Sequence, residues 1–432
     1  MRNHTVSAIK SFLFKNVSRS QTIFKNTFWL VVSEAFESGV GFVTVVLLAR
    51  HFGPTVYGQW SFAFNTVALF GILADFGLTT LLIRDIAADK SKTAEYIDTI
   101  LVLKSLLGAA VLAIVWVLGL VLIHNGTTVS LFYILGVYTV INTFVEFFQS
   151  IFRANEKMEY ETASRIIQSV SRLVLVTAFV AAGATIVQMA YAHVIYLLIG
   201  LAFAALFVWR YFSTFFKKIK TQLWLEMLKE AWPILATGLI GIAVSRLGIG
   251  LLYIFDKGEA VGFYSAAFTP VYSLSILPNL FLIALFPVFS RLSNESSKDM
   301  KSVYRQTSNY IFVTALIVFP LLFLLAGPII HIVYGSQYAD SVLVFKILLA
   351  AEFFGFIGSP FYNFFTAIHK QVVFTKMIVL ALIVNVVLSL ILIPRYSFIG
   401  LAFAMVATEV VLYAALWLAA RKAFVTMEHS HA

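Results

Sequence analysis

The sequence predicts an all-α polytopic membrane protein whose twelve transmembrane helices form two parallel-related lobes of six. Three observations predict it. Of 432 residues, 60% are hydrophobic and only 12% charged, and the mean hydropathy is +0.91. A soluble domain carries about 25% charged residues, so this chain could not cover its own surface with polar groups. The apolar stretches have helix length: crossing ~30 Å of hydrocarbon takes about 20 helical residues. A barrel strand needs only about 10 residues and alternates in polarity, which these stretches do not. Finally, a polar turn set between two apolar runs returns once in the second half, as a chain built from two similar halves would have it.

Residues 1–26 contain Arg2, Lys10, Lys15, Arg19 and Lys25 and no acid, with Phe12–Phe14 as the main apolar cluster. A signal peptide needs an apolar core of roughly 7–15 residues and a cleavage site. The segment is therefore read as a basic amphipathic stretch on the inner membrane surface. A disordered positive tail would have the same composition.

The expected spans are 27–49, 59–82, 97–121, 130–152, 163–181 and 186–208, forming an N-lobe over 27–208. The C-lobe, 232–420, holds 232–254, 262–290, 307–326, 342–367, 372–393 and 398–420. Between the lobes, 209–231 is a cytoplasmic linker in which Leu223, Trp224, Leu225, Met227 and Leu228 predict an amphipathic surface helix. Pro233 then falls in the first turn of span seven, where a helix tolerates it. Residues 421–432 are a tail.

Lys and Arg fix the orientation. With the N-terminus cytoplasmic, inside segments hold 23 of the 31 basic residues, and outside loops hold Arg50, Lys257 and Arg395 alone. Both termini are expected to be cytoplasmic in a multi-pass cell-membrane protein. Prolines are lopsided: Pro54 alone lies in the first half, while Pro270, Pro278, Pro287, Pro320 and Pro360 interrupt the later spans. Such residues remove helix hydrogen bonds, so the second lobe is expected to kink more.

The recurring turn is Gly58-Gln59-Trp60-Ser61-Phe62-Ala63-Phe64, echoed by Gly262-Phe263-Tyr264-Ser265-Ala266-Ala267-Phe268 at an offset of 204 residues (262 − 58). A second echo, Phe-x-Ala-x-x-Lys at 152–157 and 365–370, follows spans four and ten. Both pair a span with the one six later and on the same side, hence parallel repeats. The Ile199–Ala204 and Ile399–Ala404 match is set aside, because its copies lie at different depths.

At these residues the chain resembles the Wzx-type oligosaccharide flippases, polysaccharide transporters of the multidrug/oligosaccharidyl-lipid/polysaccharide exporter superfamily. The resembling positions are Asn26-Thr27, Ala49-Arg50 with Gly53, Tyr57-Gly58 and Ser61, then Asp75-Phe76-Gly77-Leu78 and Arg84-Asp85-Ile86-Ala87. The second half adds Gly262–Ala267, Pro287–Arg291, Tyr334–Tyr338, Asn385, Ile393-Pro394, Gly400-Leu401-Ala402 and Thr408-Glu409. One departure is Arg246, which is followed by Leu247-Gly248 rather than by an Asp. The resemblance implies two lobes in a V around a central cavity. It also implies a polyprenyl-diphosphate-linked oligosaccharide substrate carried to the outer leaflet. A polysaccharide polymerase and glycosyltransferases become candidate partners beside membrane lipids, and nothing points to nucleic acid.

Charges at midplane depth are costly and so are candidates for function. Arg presents a planar fork suited to phosphate, making Arg172 and Arg246, one per lobe, the candidate diphosphate ligands, with Lys104 and Arg165 as further cavity cations. Glu34, Glu37, Asp75 and Glu146 are candidates for proton or Na⁺ coupling; no other cofactor is expected. Arg165, Gln168 and Arg172 form one helical stripe, and Asn142, Glu146, Gln149 and Arg153 another. Both stripes are expected to face a wet interior, with interhelical salt bridges such as Glu37–Arg172 as the competing reading.

An enzyme is not expected. The eight histidines form no HExxH, and the chain carries no phosphate-binding glycine loop. Its outside loops are too small for a catalytic domain, and with no cysteine there are no thiolate sites. A lipid II flippase and a cation-coupled multidrug antiporter of the same superfamily remain as alternatives.

Overall fold

The computed structural model describes residues 19–212, 219–279, 297–368 and 370–430, with 281, 282, 285 and 289 between them. The expected surface segment over 1–18, the middle of the linker and most of 280–296 lie outside the described residues. Twelve α-helices of eight residues or more follow in order: α1 (Arg19–Asp75), α2 (Leu78–Ala88), α3 (Thr93–Leu122), α4 (Gly126–Ala154), α5 (Met158–Ala181), α6 (Ile186–Phe212), α7 (Trp224–Tyr272), α8 (Ser297–Leu324), α9 (Ala326–Tyr334), α10 (Ser341–Gly358), α11 (Pro360–Ala367) and α12 (Gln371–Ser430). Nine stretches among the described residues are long and apolar enough to cross a membrane, where the sequence leads one to expect twelve. The difference arises because α1, α7 and α12 each run through an expected loop. Each carries one residue outside helical conformation: Gly53 (φ 74°), Lys257 (φ 64°) and Ser397 (φ 52°).

Local chemistry accounts for the helix ends. Phe76 and Gly77 adopt positive φ and stop α1 at Asp75. Asn125 caps α4 by accepting from the Thr128 amide, which satisfies one of the unpaired donors of the first turn. The Ser91 hydroxyl and amide hold the Asp89 carboxyl below its usual range. Pro360 stands at the start of α11, where its missing N–H is harmless.

The chain forms two compact units. One comprises the described residues up to Leu47 together with Val67–Leu239; the other comprises Leu48–Thr66 and Ile240 onward. In the first, α4 packs on α3, α5 and α6. Its core gathers Leu78, Leu82, Ile97, Phe147, Phe152, Val208, Met227 and Ala231. In the second, α10 and α11 pack on α12, and Phe364, Phe365, Leu416 and Ala420 form one core cluster. The outward faces are apolar: Trp116, Leu120 and Val121 of α3 and Ile317 and Leu324 of α8 are exposed, as lipid-facing side chains are.

Three expectations need correction. Lys25, assigned to the surface segment, is buried and bound to Glu159 at 3.1 Å. The linker helix is not separate: it is the first part of α7, with Met227 and Ala231 turned into the core, Leu225 exposed and the Trp224 indole donating to the Thr99 carbonyl at 3.3 Å. Pro233 consequently lies beyond the first turn of its helix. Arg84, bound to Asp85 at 2.6 Å and to Glu230, has its guanidinium pKa raised by both carboxylates and ties α7 to α2.

The two copies of the recurring turn meet inside the second unit. A Cβ on Gly58 would fall 1.6 Å from the Gly258 carbonyl oxygen, and one on Gly262 would fall 2.0 Å from that of Pro54. Residues 54 and 58 stand to 258 and 262 as the repeat offset requires. The contact is therefore reciprocal, and only hydrogen fits on either side.

Candidate functional site

In the first unit several polar side chains form an ion-paired network around Arg165, and Arg172 lies outside it. Arg165 of α5 places Nη1 2.7 Å from Glu37 and 3.8 Å from Glu34, and Nε 3.2 Å from Glu161. Glu161 is fully buried and also accepts from Arg153 of α4. Glu37 thus goes to Arg165 rather than to Arg172, which corrects the pairing weighed from the sequence. The Arg165 side chain is 17% exposed and held by these three acids.

The α4 stripe divides along its length. Glu146 is exposed and accepts from Asn142 at 2.8 Å. Gln149 is buried and donates to Ser164 at 3.2 Å and Gln168 at 3.4 Å on α5. Gln149 and Arg153 of the α4 stripe thus bind groups of α5 rather than facing water, as polar groups on helices in hydrocarbon do when they meet. Close by, Lys104, fully buried, donates to Asp75, which also accepts from Thr79.

Arg172 stands apart. Its Nε is buried without a hydrogen-bond partner, and among the described residues no carboxylate lies within ion-pairing distance. The guanidinium carbon sits 5.7 Å from the Tyr196 ring centre. The Tyr196 hydroxyl meets that of Tyr138 at 2.9 Å, and the His193 ring packs edge-on against both tyrosines. On another side Gly41 leaves room: its missing Cβ would lie 3.6 Å from Nη1. The result is a half-buried cation on an aromatic wall, with its Nε donor left over for an anion.

In the second unit Arg246 of α7 donates from Nη1 to the Asn65 Oδ1 at 2.6 Å. Asn65 in turn donates its amide N–H to the Ser61 carbonyl at 2.8 Å, which aims the oxygen at the arginine. Glu352 of α10 and Glu409 of α12 converge on Gly355. A Cβ at that glycine would lie 3.4 Å from one carboxylate oxygen and 3.9 Å from the other. Spacing along the chain could not pair them, because they sit on different helices.

Helices of membrane-spanning length define a multi-pass membrane protein, and the comparisons agree. The structure matches an inward-facing multidrug resistance MATE family transporter of the MOP superfamily with a TM-score of 0.75, at 15% identity over 92% of this chain and 96% of that one. It matches the lipid II flippase MurJ in an inward closed conformation with a TM-score of 0.72, at 16% identity over 91% and 88%. These likenesses fix the fold as that of the MOP superfamily. In sequence, the chain is 21% identical over 388 residues to the probable low-salt glycan biosynthesis flippase Agl15 of Haloferax volcanii, covering 87% of this chain and 78% of that protein. Residues 23–293 match the family described as Polysaccharide biosynthesis protein, and the chain belongs to that family.

Proposed function

We propose that this protein is a flippase that carries a polyprenyl-diphosphate-linked oligosaccharide, a surface polysaccharide precursor, from the inner to the outer leaflet by alternating access. The observation that carries the reading is Arg172, a guanidinium with an unpartnered buried Nε against an aromatic wall. Leaving such a group unmatched inside a membrane is costly unless an anion visits it. A diphosphate supplies that anion, and the tyrosine faces suit the sugar attached to it. Arg246 provides a second cation in the other unit. Lys104 and Arg165 carry carboxylate partners already and serve in shaping the wall. Family membership and the likeness to a glycan flippase support the substrate class.

The same reading gives twelve spans. The stretches of 48, 59 and 55 residues that contain the breaks would each extend over roughly 70–90 Å if straight, more than twice the ~30 Å of hydrocarbon. Dividing each at Gly53, Lys257 or Ser397 would give two crossings apiece, with lobes over 27–208 and 232–420 and both termini on one side, which the distribution of Lys and Arg makes the cytoplasm. Glu34, Glu37, Asp75 and Glu146 remain the candidates for H⁺ or Na⁺ coupling. A polymerase and glycosyltransferases are the partners such a substrate calls for.

The test is leaflet inversion of a fluorescent polyprenyl-diphosphate disaccharide in proteoliposomes, read by loss of signal to a membrane-impermeant quencher. Inversion that Arg172→Ala abolishes supports the reading. Transport of a cationic dye with no inversion of the lipid would replace it with the antiporter.

A further inference from the structure

The stretch Leu48–Thr66 belongs by sequence to the first repeat, yet it is bound within the second unit along its whole length. At its start the Tyr338 hydroxyl donates to the Ala49 carbonyl at 2.9 Å, Gln337 donates to the Arg50 carbonyl at 3.2 Å, and the Arg50 guanidinium donates to the Ile332 carbonyl at 2.6 Å. Next comes the reciprocal crossing of Gly58 and Gly262. Then the Phe62 ring stacks on Tyr253 with centres 3.8 Å apart. The innermost tie is Arg246 to Asn65, one residue before the stretch ends.

These ties differ in kind. The outer ones are side-chain hydrogen bonds to carbonyl oxygens fixed in the backbone, a glycine crossing and ring stacking. The innermost is a hydrogen bond between a guanidinium and a neutral amide oxygen. A phosphate offers the guanidinium a full opposite charge and two oxygens in a two-pronged geometry that a single Asn oxygen cannot match.

We propose that Asn65 is a displaceable latch: an anionic lipid headgroup taken up by Arg246 evicts the Asn65 oxygen and releases the Leu48–Thr66 stretch from the second repeat. This inference rests on the reading of Arg246 as a diphosphate ligand. Recognition and opening then become one event. The Ser61 carbonyl holds the Asn65 amide in place on its own helix, so the evicted side chain is ready to rebind when the headgroup leaves.

The chain has no cysteine, so paired spin labels can be attached without background. The exposed positions His51→Cys and Ile332→Cys bracket the outer ties. Distances between them would be measured in lipid nanodiscs with geranylgeranyl diphosphate, and with geranylgeraniol as the uncharged control. The diphosphate should populate a longer distance and the alcohol should not. Asn65→Leu should raise the ratio of long to short distance roughly tenfold without any ligand, the size of losing one hydrogen bond to a charged group. Gly58→Ala, which forces the crossing apart independently of Arg246, should do the same. Binding of radiolabelled geranylgeranyl diphosphate is followed in parallel. If the diphosphate binds and the distance stays short, or if Asn65→Leu and Gly58→Ala both keep the short distance, the latch is wrong and the headgroup reading survives. If the diphosphate does not bind at all, both fall.

Discussion

Glu37 of α1 holds Arg165 of α5 at 2.7 Å, and that pairing leaves Arg172, seven residues further along α5, without a carboxylate. The two arginines share a helix face but have opposite relations to the rest of the unit. One is structural, fixed by three acids; the other is half-buried, with an unbonded Nε, and free of ion pairs among the described residues. Their variants should separate accordingly.

Arg172→Ala should leave the thermal unfolding midpoint in detergent close to that of the parent while reducing leaflet inversion by tenfold or more, since a hydrogen bond to a charged group contributes about 1.5–3 kcal/mol. Arg165→Ala should lower stability by a similar amount, because Glu161 and Glu37 lose a partner. Fluorescence-detected thermal denaturation beside the inversion assay distinguishes the two. Equal destabilisation by both substitutions would assign Arg172 to the scaffold.

Lys104 and Asp75 form a pair in which the lysine is fully buried. Removing one partner of a buried pair typically costs about 3–5 kcal/mol, and removing both costs less. Lys104→Met and Asp75→Asn should each destabilise strongly, and the double variant should recover much of the loss. A complete double-mutant cycle of unfolding free energies checks this; additive effects would mean that the pair is not coupled.

Alanine at Gly262 should be harmful far beyond its helix propensity, because its Cβ would overlap the Pro54 carbonyl. Overpacking of this kind costs about 1–3 kcal/mol, read as a fall in the unfolding midpoint. Alanine at Gly39, where nothing lies within 4 Å, is the internal control and should be tolerated.

The orientation also has a direct check. Single cysteines at Lys257 and Arg395 should react with an impermeant maleimide from outside intact cells. Those at Lys90 and Arg421 should react only after permeabilisation. The reverse pattern would invert the assignment of inside and outside.

Much of this was legible in the sequence, for a physical reason. Hydrocarbon enforces long apolar helices, and a repeated turn survives where geometry admits only glycine. Gly58 and Gly262 stood out as an echo before their backbones were seen to touch. The stripes were harder. Spacing says that Gln149 and Arg153 share a face, but not that α5 covers it with Ser164, Gln168 and Glu161. Asn65 carried no signal at all: a lone amide in an apolar run acquires meaning only from the arginine that α7 brings to it. Glu352 and Glu409 likewise become neighbours through the packing of α10 on α12.

The hydrogen bond from the Asn65 amide to the Ser61 carbonyl has a practical corollary. Because that bond fixes which atom confronts Arg246, Asn65→Asp would exchange a neutral handle for an ionic clasp, at the cost of turning a carboxylate oxygen toward the Ser61 carbonyl where an amide now donates. Such a variant should stall the transporter at a single stage of its cycle, giving crystallographers and cryo-microscopists a homogeneous sample of a molecule otherwise distributed over several.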